Sequence, residues 1–302
     1  MKVFITGASG HIGSALVPEL LSNDHAVVGL ARSDESARAI ADMGGEAVRS
    51  DLDDLETLAA SAASADAVVH LAYKHEAMMS GDLETALKAD RASIEAMGDA
   101  LAGTGKPFVG TSGTALLAMG GITGRPGTEE DVVDGPGRVA NENAVIALAE
   151  RNVRASVVRL PPTVHSDLDK IGFVPALIGF AREAGHSAYI GDGTNRWPAV
   201  HTLDAARAYR LALEQAMPGT RLHPVADDGV PFREIAERIG EGLGIETRSL
   251  TGEAVAEHFG FLATFAAVDN PSSSALTREW LGWEPQHPGL TADLREAHYF
   301  AG

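Results

Sequence analysis

The chain opens on Met1-Lys2-Val3-Phe4-Ile5-Thr6-Gly7-Ala8-Ser9-Gly10-His11-Ile12-Gly13, and this stretch decides the fold. A short apolar run at residues 3–6 is typical of a buried strand, and the glycines that follow it are typical of a turn into a helix. The first glycine permits the tight turn, the second lets the backbone approach a diphosphate, and the third lets helix and strand pack closely. Amides at the helix N-terminus then hold the anion. The pattern predicts a dinucleotide site whose contacts are Thr6, Gly7, Ser9, Gly10, His11, Ile12 and Gly13.

The first 160 residues repeat one rhythm: a short apolar run, a turn and a longer amphipathic stretch. The expected strands are residues 3–6, 26–31, 46–49, 67–71, 108–111 and 155–160. This alternation predicts an α/β fold, a Rossmann-type doubly wound parallel sheet with helices on both sides. After residue 165 the alternation of strand and helix patterns becomes less regular. We therefore expect a dinucleotide-binding domain at residues 1–165 and a smaller mixed α/β substrate lobe at residues 166–302, packed as one body.

The composition limits the partners. The chain has 302 residues, 24 Lys and Arg, 42 Asp and Glu, a net charge of −18 and no cysteine. This balance argues against a nucleic-acid or anionic-membrane surface, and the lack of cysteine excludes disulfides and thiolate metal sites. The eleven histidines show no metal-ligand spacing, and Glu129-Glu130-Asp131 is typical of a solvated acidic loop. No apolar run is long enough for a transmembrane helix. We expect a soluble cytoplasmic protein, monomer or homodimer, with a small-molecule substrate.

The end of the second strand bears on which dinucleotide binds. An acidic residue there would bind the ribose 2′-hydroxyl of NAD. Here the strand runs into Arg32-Ser33, and a cation beside a hydroxyl suits the 2′-phosphate of NADP. Asp34 follows directly and could compete, and Ser33 could also cap the next helix. We expect NADP as the preferred cofactor, with contacts from Arg32 and Ser33, and NAD as the alternative.

Further motifs are spread over nearly the whole chain. They are Asp51-Leu52 after the third strand, His70-Leu71-Ala72 at the end of the fourth, and residues 157–161, 200–206 and 281–285. With the glycine pattern, they make the sequence similar to the extended and atypical short-chain dehydrogenase/reductases, often labelled the NAD-dependent epimerase/dehydratase family. This resemblance implies that Asp51 and Leu52 border the adenine and that Leu71 and Ala72 run beside the phosphates and ribose. The remaining expected cofactor contacts are Thr111 and Pro161.

The sequence departs from that family at its usual active site. The family carries a Tyr-x-x-x-Lys motif before the sixth strand and a Ser or Thr at the end of the fifth. The chain has four tyrosines, and none is followed four residues later by lysine. Where the motif would fall, residues 137–141 are Gly-Arg-Val-Ala-Asn. The phenol and the lysine of the family are therefore absent from their expected places.

Other polar residues follow the predicted strands and could do the chemistry. Ligands of a doubly wound sheet bind at the carboxyl ends of its strands. Ser112 matches the family's hydroxyl position and could bond a carbonyl oxygen, while Tyr73, Lys74 or His75 could supply the proton or positive charge. Each of these residues could equally belong to an ordinary loop or turn. We predict the catalytic candidates Ser112, Tyr73, Lys74 and His75.

Three functions fit these observations. The first is an NAD(P)-dependent oxidoreductase that transfers a hydride to or from a small carbonyl- or alcohol-like substrate. The second is an NADP-binding regulator or catalytically altered member, which the missing Tyr-x-x-x-Lys favours. The third is an NAD-dependent epimerase or dehydratase, which would normally rely on the same missing tyrosine. We predict the oxidoreductase.

Overall fold

The structure, a computed structural model, describes residues 1–300 apart from the side chains of Met78 and Met79. Its main sheet has seven parallel strands in the order β10-β6-β5-β4-β1-β2-β3. They are β1 (Lys2–Thr6), β2 (Ala26–Ala31), β3 (Glu46–Arg49), β4 (Ala67–His70), β5 (Pro107–Gly113), β6 (Arg154–Leu160) and β10 (Thr220–Leu222). The strand order reverses between β1 and β4, which opens a crevice for a ligand at their carboxyl ends. The predicted Rossmann-type fold is confirmed.

The described residues form helices on both faces of this sheet and around a second lobe. The longer helices are α1 (His11–Leu21), α2 (Asp34–Asp42), α3 (Leu55–Ser64), α5 (Leu83–Leu101), α7 (Arg138–Ala147), α8 (Phe173–Ala184), α9 (Thr202–Gln215) and α10 (Phe232–Leu243). The shorter ones are α4 (His75–Met79), α6 (Ala115–Met119), α11 (Glu253–Phe259), α12 (Ala263–Ala266), α13 (Ala275–Leu281) and α14 (Leu290–Asp293). None of the described helices is both long and apolar enough to span a bilayer.

The apolar central strands are buried on both faces, as their sequences predict. Ile5 packs with Leu16 of α1 and Tyr209 of α9 on one side of the sheet. Phe4 and Phe108 belong to the core on the other side, which α3, α5 and α7 cover. Both faces of β1 are therefore shielded from solvent, which is why its run is apolar without alternation.

The second lobe has its own small sheets and core. The strand order is β11-β9-β7 in one sheet and β12-β8 in the other. These strands are β7 (Thr163–His165), β8 (Ser187–Ile190), β9 (Arg196–His201), β11 (Asp227–Pro231) and β12 (Thr247–Leu250). Trp197 is the centre of this core, with its ring 4.8 Å from that of Phe232. The chain then returns: α9 packs against α1, and β10 pairs with β6 in the large sheet.

The long segment between α6 and α7 is anchored by a charge that we expected in solvent. Glu129 is only 2% exposed. Its Oε1 accepts hydrogen bonds from the backbone amide and hydroxyl of Thr277, at 2.7 and 2.8 Å. The expectation of a solvated acidic loop is therefore wrong for Glu129, because this carboxylate caps the start of α13.

Candidate active site

The glycine turn lies where the main sheet reverses its strand order. Gly7 has φ +76°, and a Cβ there would lie 2.9 Å from the backbone nitrogen of Ala72. A Cβ on Gly13 would lie 2.3 Å from the carbonyl oxygen of Gly7. The turn therefore packs backbone against backbone, both with α1 and with the segment after β4. This brings the predicted contacts Gly7, Gly13 and Ala72 together.

Helix α1 begins with free donors. Its N-cap is Gly10, no side chain caps it, and its first turn holds no acidic residue. The first helical hydrogen bond runs from the amide of Ser14 to the carbonyl of Gly10. The amides of residues 11–13 therefore precede the helical ladder and point out of the helix end. These donors fit a diphosphate, since the helix dipole also favours an anion there.

Three other helices of the same domain begin differently, whereas α7, like α1, begins at a glycine without a side-chain cap. Ser33 caps α2, Asp54 caps α3 and Asp82 caps α5, each by accepting from a backbone amide in the first turn. Each of these helices also has an acidic residue in its first turn. In each of them, one amide of the first turn is thus satisfied by the protein itself. Ser33 has the capping role that its sequence allowed.

Two ion pairs lie at the ends of β2 and β3. Arg32 donates to Glu76 at 2.8 Å, with both side chains more than 70% exposed. Lys74 donates to both oxygens of Asp53, at 2.6 and 2.7 Å. The nearby carboxyl of Asp51 accepts from the amide of Asp53, and Leu52 is buried. Lys74 therefore faces the end of β3 and not the end of β5.

A buried polar chain runs beneath the crevice. Thr6 Oγ1 accepts from the Ala72 amide and lies 2.7 Å from His70 Nδ1. His70 Nε2 lies 3.2 Å from Asp90 Oδ1, and Asn141 donates to Asp90 Oδ2 at 2.7 Å. Burial opposes ionisation of Asp90, but the bond from His70 and the charge of Arg138 hold its pKa below the usual range. Because a carboxylate only accepts, His70 donates from Nε2 and its Nδ1 accepts from Thr6.

Arg138 connects this chain to the loop after β4. Its guanidinium carbon lies 4.3 Å from the centre of the Tyr73 ring. Its Nη2 donates to the carbonyl of Thr111 at 3.2 Å, and its Nη1 lies 3.7 Å from Asp90 Oδ2. The Tyr73 hydroxyl is buried and makes no hydrogen bond of good geometry within the part of the chain that the structure describes. The site thus holds a phenol and a cation from two different segments.

The end of β5 directs its side chains to opposite faces. The Thr111 hydroxyl donates to the carbonyl of His70 at 2.8 Å and lies 2.8 Å from the hydroxyl of Tyr209. Ser112 is 5% exposed, and its hydroxyl makes no hydrogen bond of good geometry. It is nevertheless close enough to help lower the pKa of Glu142. Ser112 faces α7, whereas the Thr111 side chain contacts α9.

His75, Pro161 and Leu71 are other predicted site residues, and each has few polar contacts. His75 stands edge-on to Tyr73, with ring centres 5.4 Å apart. Burial, followed by the charge of Arg138, lowers the pKa of His75, which keeps its imidazole neutral at pH 7. Pro161 is buried at the end of β6, and Leu71 packs against the core.

The positions of the missing motif are occupied by residues with structural tasks. Gly137 has φ +72° and is the N-cap of α7. Asn141 is buried, and its amide also donates to the carbonyl of Leu87 at 3.1 Å. Neither can donate a catalytic proton. Sequence reasoning missed Arg138 and Asp90; the only available signal was a cation inside the segment where the motif should fall.

His11 ties the glycine turn to the second lobe. Its Nε2 lies 2.8 Å from the hydroxyl of Thr202 at the start of α9, and its Nδ1 lies 3.6 Å from Asp169 Oδ1. Burial lowers the pKa of His11 to about 4 and raises the pKa of Asp169 to about 7. Across the described residues, no group of three or more His, Asp or Glu side chains is arranged to hold a metal ion.

Asp169 makes the stability of the protein depend on pH. Its folded pKa of about 7 exceeds the ordinary 3.8, so the folded state holds the proton more tightly than the unfolded state does. Its contribution is fully present below about pH 4 and is lost as pH rises to 7. We expect Asp169→Asn to gain stability relative to the parent over this window, by up to about 1.4 kcal/mol per pH unit.

Urea unfolding at pH 5 and pH 8 measures this difference. Asp167→Asn is the matched control, because Asp167 is exposed two residues away. The lowered pKa of His11 acts in the opposite direction between pH 4 and 6.5, and its largest cause is burial. Equal gains at both pH values would contradict the assignment.

Comparison with known sequences identifies similar proteins. Residues 3–223 match the model of the "NAD dependent epimerase/dehydratase family". An uncharacterized protein of Schizosaccharomyces pombe is 45% identical over 302 residues, covering 99% of this chain and 100% of that protein. One from Saccharomyces cerevisiae is 43% identical over 300 residues, covering 98% of each. The "sterol-4-alpha-carboxylate 3-dehydrogenase, decarboxylating" of Dictyostelium discoideum is 25% identical, covering 82% of this chain and 78% of that protein.

Solved structures share the architecture. A UDP-glucuronic acid 4-epimerase from Bacillus cereus, in complex with UDP-glucuronic acid and NAD, superposes with a TM-score of 0.78 at 18% identity, covering 99% of this chain and 98% of that one. MoeE5 in complex with UDP-glucose and NAD gives 0.76 at 21% identity, covering 100% and 98%. At these identities the likeness demonstrates a common fold.

Proposed function

The chain belongs to the NAD-dependent epimerase/dehydratase family, and from this premise we propose that it is an oxidoreductase using a nicotinamide dinucleotide. The substrate is a small carbonyl compound or the corresponding alcohol. The observation that carries the proposal is the uncapped start of α1 beside a buried, unpartnered phenol at the reversal of the strand order. A dehydrogenase among the relatives supports the same class of reaction.

The bound dinucleotide would donate or accept the hydride, and this chain's residues would hold it and manage the proton. The diphosphate contacts are assigned to the turn, the adenosine contacts to the ends of β2 to β4, and the nicotinamide contacts to the ends of β5 and β6. In this proposal the cofactor residues are Thr6, Gly7, Ser9, Gly10, His11, Ile12, Gly13, Arg32, Ser33, Asp51, Leu52, Leu71, Ala72, Thr111 and Pro161. Thr6 acts through its bond with His70, because its hydroxyl is already engaged.

We propose NADP as the preferred form. The exposed Arg32–Glu76 pair costs at most about 1 kcal/mol to break, so Arg32 is available to a 2′-phosphate. Arg32→Ala is therefore expected to weaken NADPH binding about tenfold while leaving NADH binding unchanged. Isothermal titration with each cofactor measures the change, and Arg38→Ala on the exposed side of α2 is the control. An equal loss for both cofactors would contradict the assignment.

A second candidate function is a dinucleotide-binding regulator. It is favoured by Gly137 and Asn141, which have taken structural tasks where the family has its tyrosine and lysine. The regulator would bind the dinucleotide without any turnover.

One experiment separates the two functions. NADPH and NADH are first titrated by calorimetry, and the absorbance of the reduced cofactor is then followed with a panel of small aldehydes and ketones. We expect binding and turnover of at least one panel member. Binding without oxidation by any member supports the regulator, and the absence of binding contradicts both.

A further inference from the structure

We propose that Tyr73 is the catalytic residue that exchanges the substrate proton and that Arg138 is the positioning residue that stabilises its phenolate. The inference rests on the proposed function and deepens it. In the family, the tyrosine and lysine of the Tyr-x-x-x-Lys motif come from one helix. Here the phenol comes from the loop after β4 and the cation from the first turn of α7. Neither residue holds a position of the Tyr-x-x-x-Lys motif.

The geometry fixes the Arg138 side chain against the ring. Its guanidinium carbon lies 4.3 Å from the centre of the Tyr73 ring, within the range of a cation–π contact. The Thr111 carbonyl accepts from its Nη2 at 3.2 Å, and Asp90 lies 3.7 Å from its Nη1. Asp90 is itself held by His70 and Asn141. The Thr111 carbonyl and Asp90 therefore fix the position of the Arg138 guanidinium, and only 27% of the Arg138 side chain is exposed.

The Tyr73 hydroxyl has an unmet requirement. Its oxygen is shielded from solvent and makes no hydrogen bond of good geometry with the described residues, although Arg138 lies close enough to help lower its pKa. A buried hydroxyl without a partner is uncommon and marks a place where a ligand atom can bond. Ser112 presents a second buried hydroxyl without a well-formed bond, at the end of the adjacent strand. A carbonyl oxygen is a ligand atom that could accept from the Tyr73 hydroxyl.

Burial and the charges that face Tyr73 raise its pKa on balance, so the phenol is protonated at pH 7. Burial raises the pKa of Tyr73, Asp90 raises it further, and Arg138 lowers it. His75, whose ring lies edge-on at 5.4 Å, contributes no charge at pH 7 because its own pKa is lowered. Arg138 is thus the group that favours the phenolate.

The step balances with these groups. In reduction, the carbonyl carbon gains a hydride from the reduced dinucleotide, and the electron pair of the C=O π bond moves to oxygen. That oxygen takes the proton of Tyr73. The phenolate, opposite the guanidinium, then regains a proton from water. The sum is carbonyl, reduced dinucleotide and one proton giving alcohol and oxidised dinucleotide.

The other predicted donors are less well arranged. Lys74 is bound by both oxygens of Asp53, so its ammonium faces the end of β3. His75 has a lowered pKa, so it is neutral and carries no proton to spare at pH 7. Tyr209 is fully buried against Thr111 on the opposite face of the sheet. Tyr73 is the candidate that combines a free hydroxyl with a neighbouring cation.

The test measures the phenol directly and does not need the natural substrate. Tyrosinate absorbance near 295 nm is titrated for the parent, Tyr73→Phe, Arg138→Gln and the double variant. Subtracting each Tyr73→Phe background isolates the Tyr73 step. We expect this step to move up by about one pH unit in Arg138→Gln, because the stabilising charge is gone. Arg138→Lys is expected to restore part of the shift. If the Tyr73 titration step does not move in Arg138→Gln, the proposed pairing of Tyr73 with Arg138 is wrong.

Turnover supplies the second readout, with saturating NADPH and the panel carbonyl that the parent reduces fastest. We expect Tyr73→Phe to lower kcat by 10²–10⁴-fold, and Arg138→Gln to lower it about tenfold with the NADPH affinity unchanged. A parental kcat in Tyr73→Phe overturns the role of Tyr73. Calorimetric binding of NADPH confirms that each variant is folded. If Arg138→Gln fails this check, Tyr73→Phe still tests the role of the hydroxyl, because this variant keeps the aromatic ring in place.

Matched controls come from a similar pair in the second lobe. The guanidinium of Arg233 lies 5.3 Å from the ring of Tyr189. Tyr189→Phe and Arg233→Gln should leave turnover and the Tyr73 step unchanged. If the parent binds no dinucleotide, the proposed function fails, whereas an unmoved Tyr73 step with NADPH bound refutes only the catalytic pair.

Discussion

Replacement of Gly13 by alanine is expected to reduce dinucleotide binding by more than 100-fold. The added Cβ would lie 2.3 Å from the carbonyl oxygen of Gly7 and 2.5 Å from that of Ala8. Both atoms belong to the backbone of the turn, so no side chain can rotate to relieve the contact. Helix α1 must move away from β1, and the amides at its start move with it. Overpacking of this kind also costs about 1–3 kcal/mol of stability.

Calorimetry with NADPH and a urea titration measure the two effects of this substitution. Gly179→Ala is the matched control, because a Cβ at that position in α8 has no atom within 4 Å. This control should bind like the parent and unfold at the same or a slightly higher urea concentration. Parental affinity in Gly13→Ala would show that the start of α1 does not hold the diphosphate.

Glu142→Gln is expected to lower the free energy of unfolding by about 3–5 kcal/mol. The carboxylate accepts from Arg159 at 2.6 Å and from Arg221 at 2.8 Å. Arg159 is completely buried, so the variant leaves a guanidinium charge without its counter-ion and without water. Burial opposes ionisation of Glu142, but these cations hold its pKa below the usual range. Its charge therefore persists inside the fold at pH 7.

Urea unfolding at pH 7 measures the loss, with Glu84→Gln as control. Glu84 also forms an ion pair, with Lys88, but both side chains are about 75% exposed. Solvent screens such a pair, so its removal should leave the unfolding transition in place. A small effect of Glu142→Gln would indicate that the existing bond from Arg159 to the Asp131 carbonyl, at 2.9 Å, is enough to hold the guanidinium.

The large sheet could be predicted because its strands carry their own signal. The central residues of β1 and β4 are apolar because both faces of these strands are covered, and the glycine spacing identifies the turn between β1 and α1. The short strands β7, β11 and β12 give no comparable signal. Their residues are Thr-Val-His, Asp-Asp-Gly-Val-Pro and Thr-Arg-Ser-Leu, so none of them contains the run of apolar residues that indicates a buried strand.

The sequence did not predict the directions in which the site side chains point. The sequence places Tyr73 and Lys74 side by side after β4, yet one packs under Arg138 and the other turns to Asp53. Glu129 looks solvated within its acidic run, but its partner Thr277 lies 148 residues away. Such pairings depend on which distant segments meet, and that information emerges only in the folded chain.

The return of the chain through α9 and β10 has a consequence for how the molecule could have been assembled. The strand at one edge of the large sheet, and a helix covering one of its faces, come from sequence beyond the first small strands of the other lobe. With the chain divided at residue 165, exchange of the N-terminal or the C-terminal half as one continuous segment would separate β10 from β6 and leave the edge of β6 unpaired. Recombination of this architecture would therefore favour swaps of loops and surface helices over swaps of whole halves.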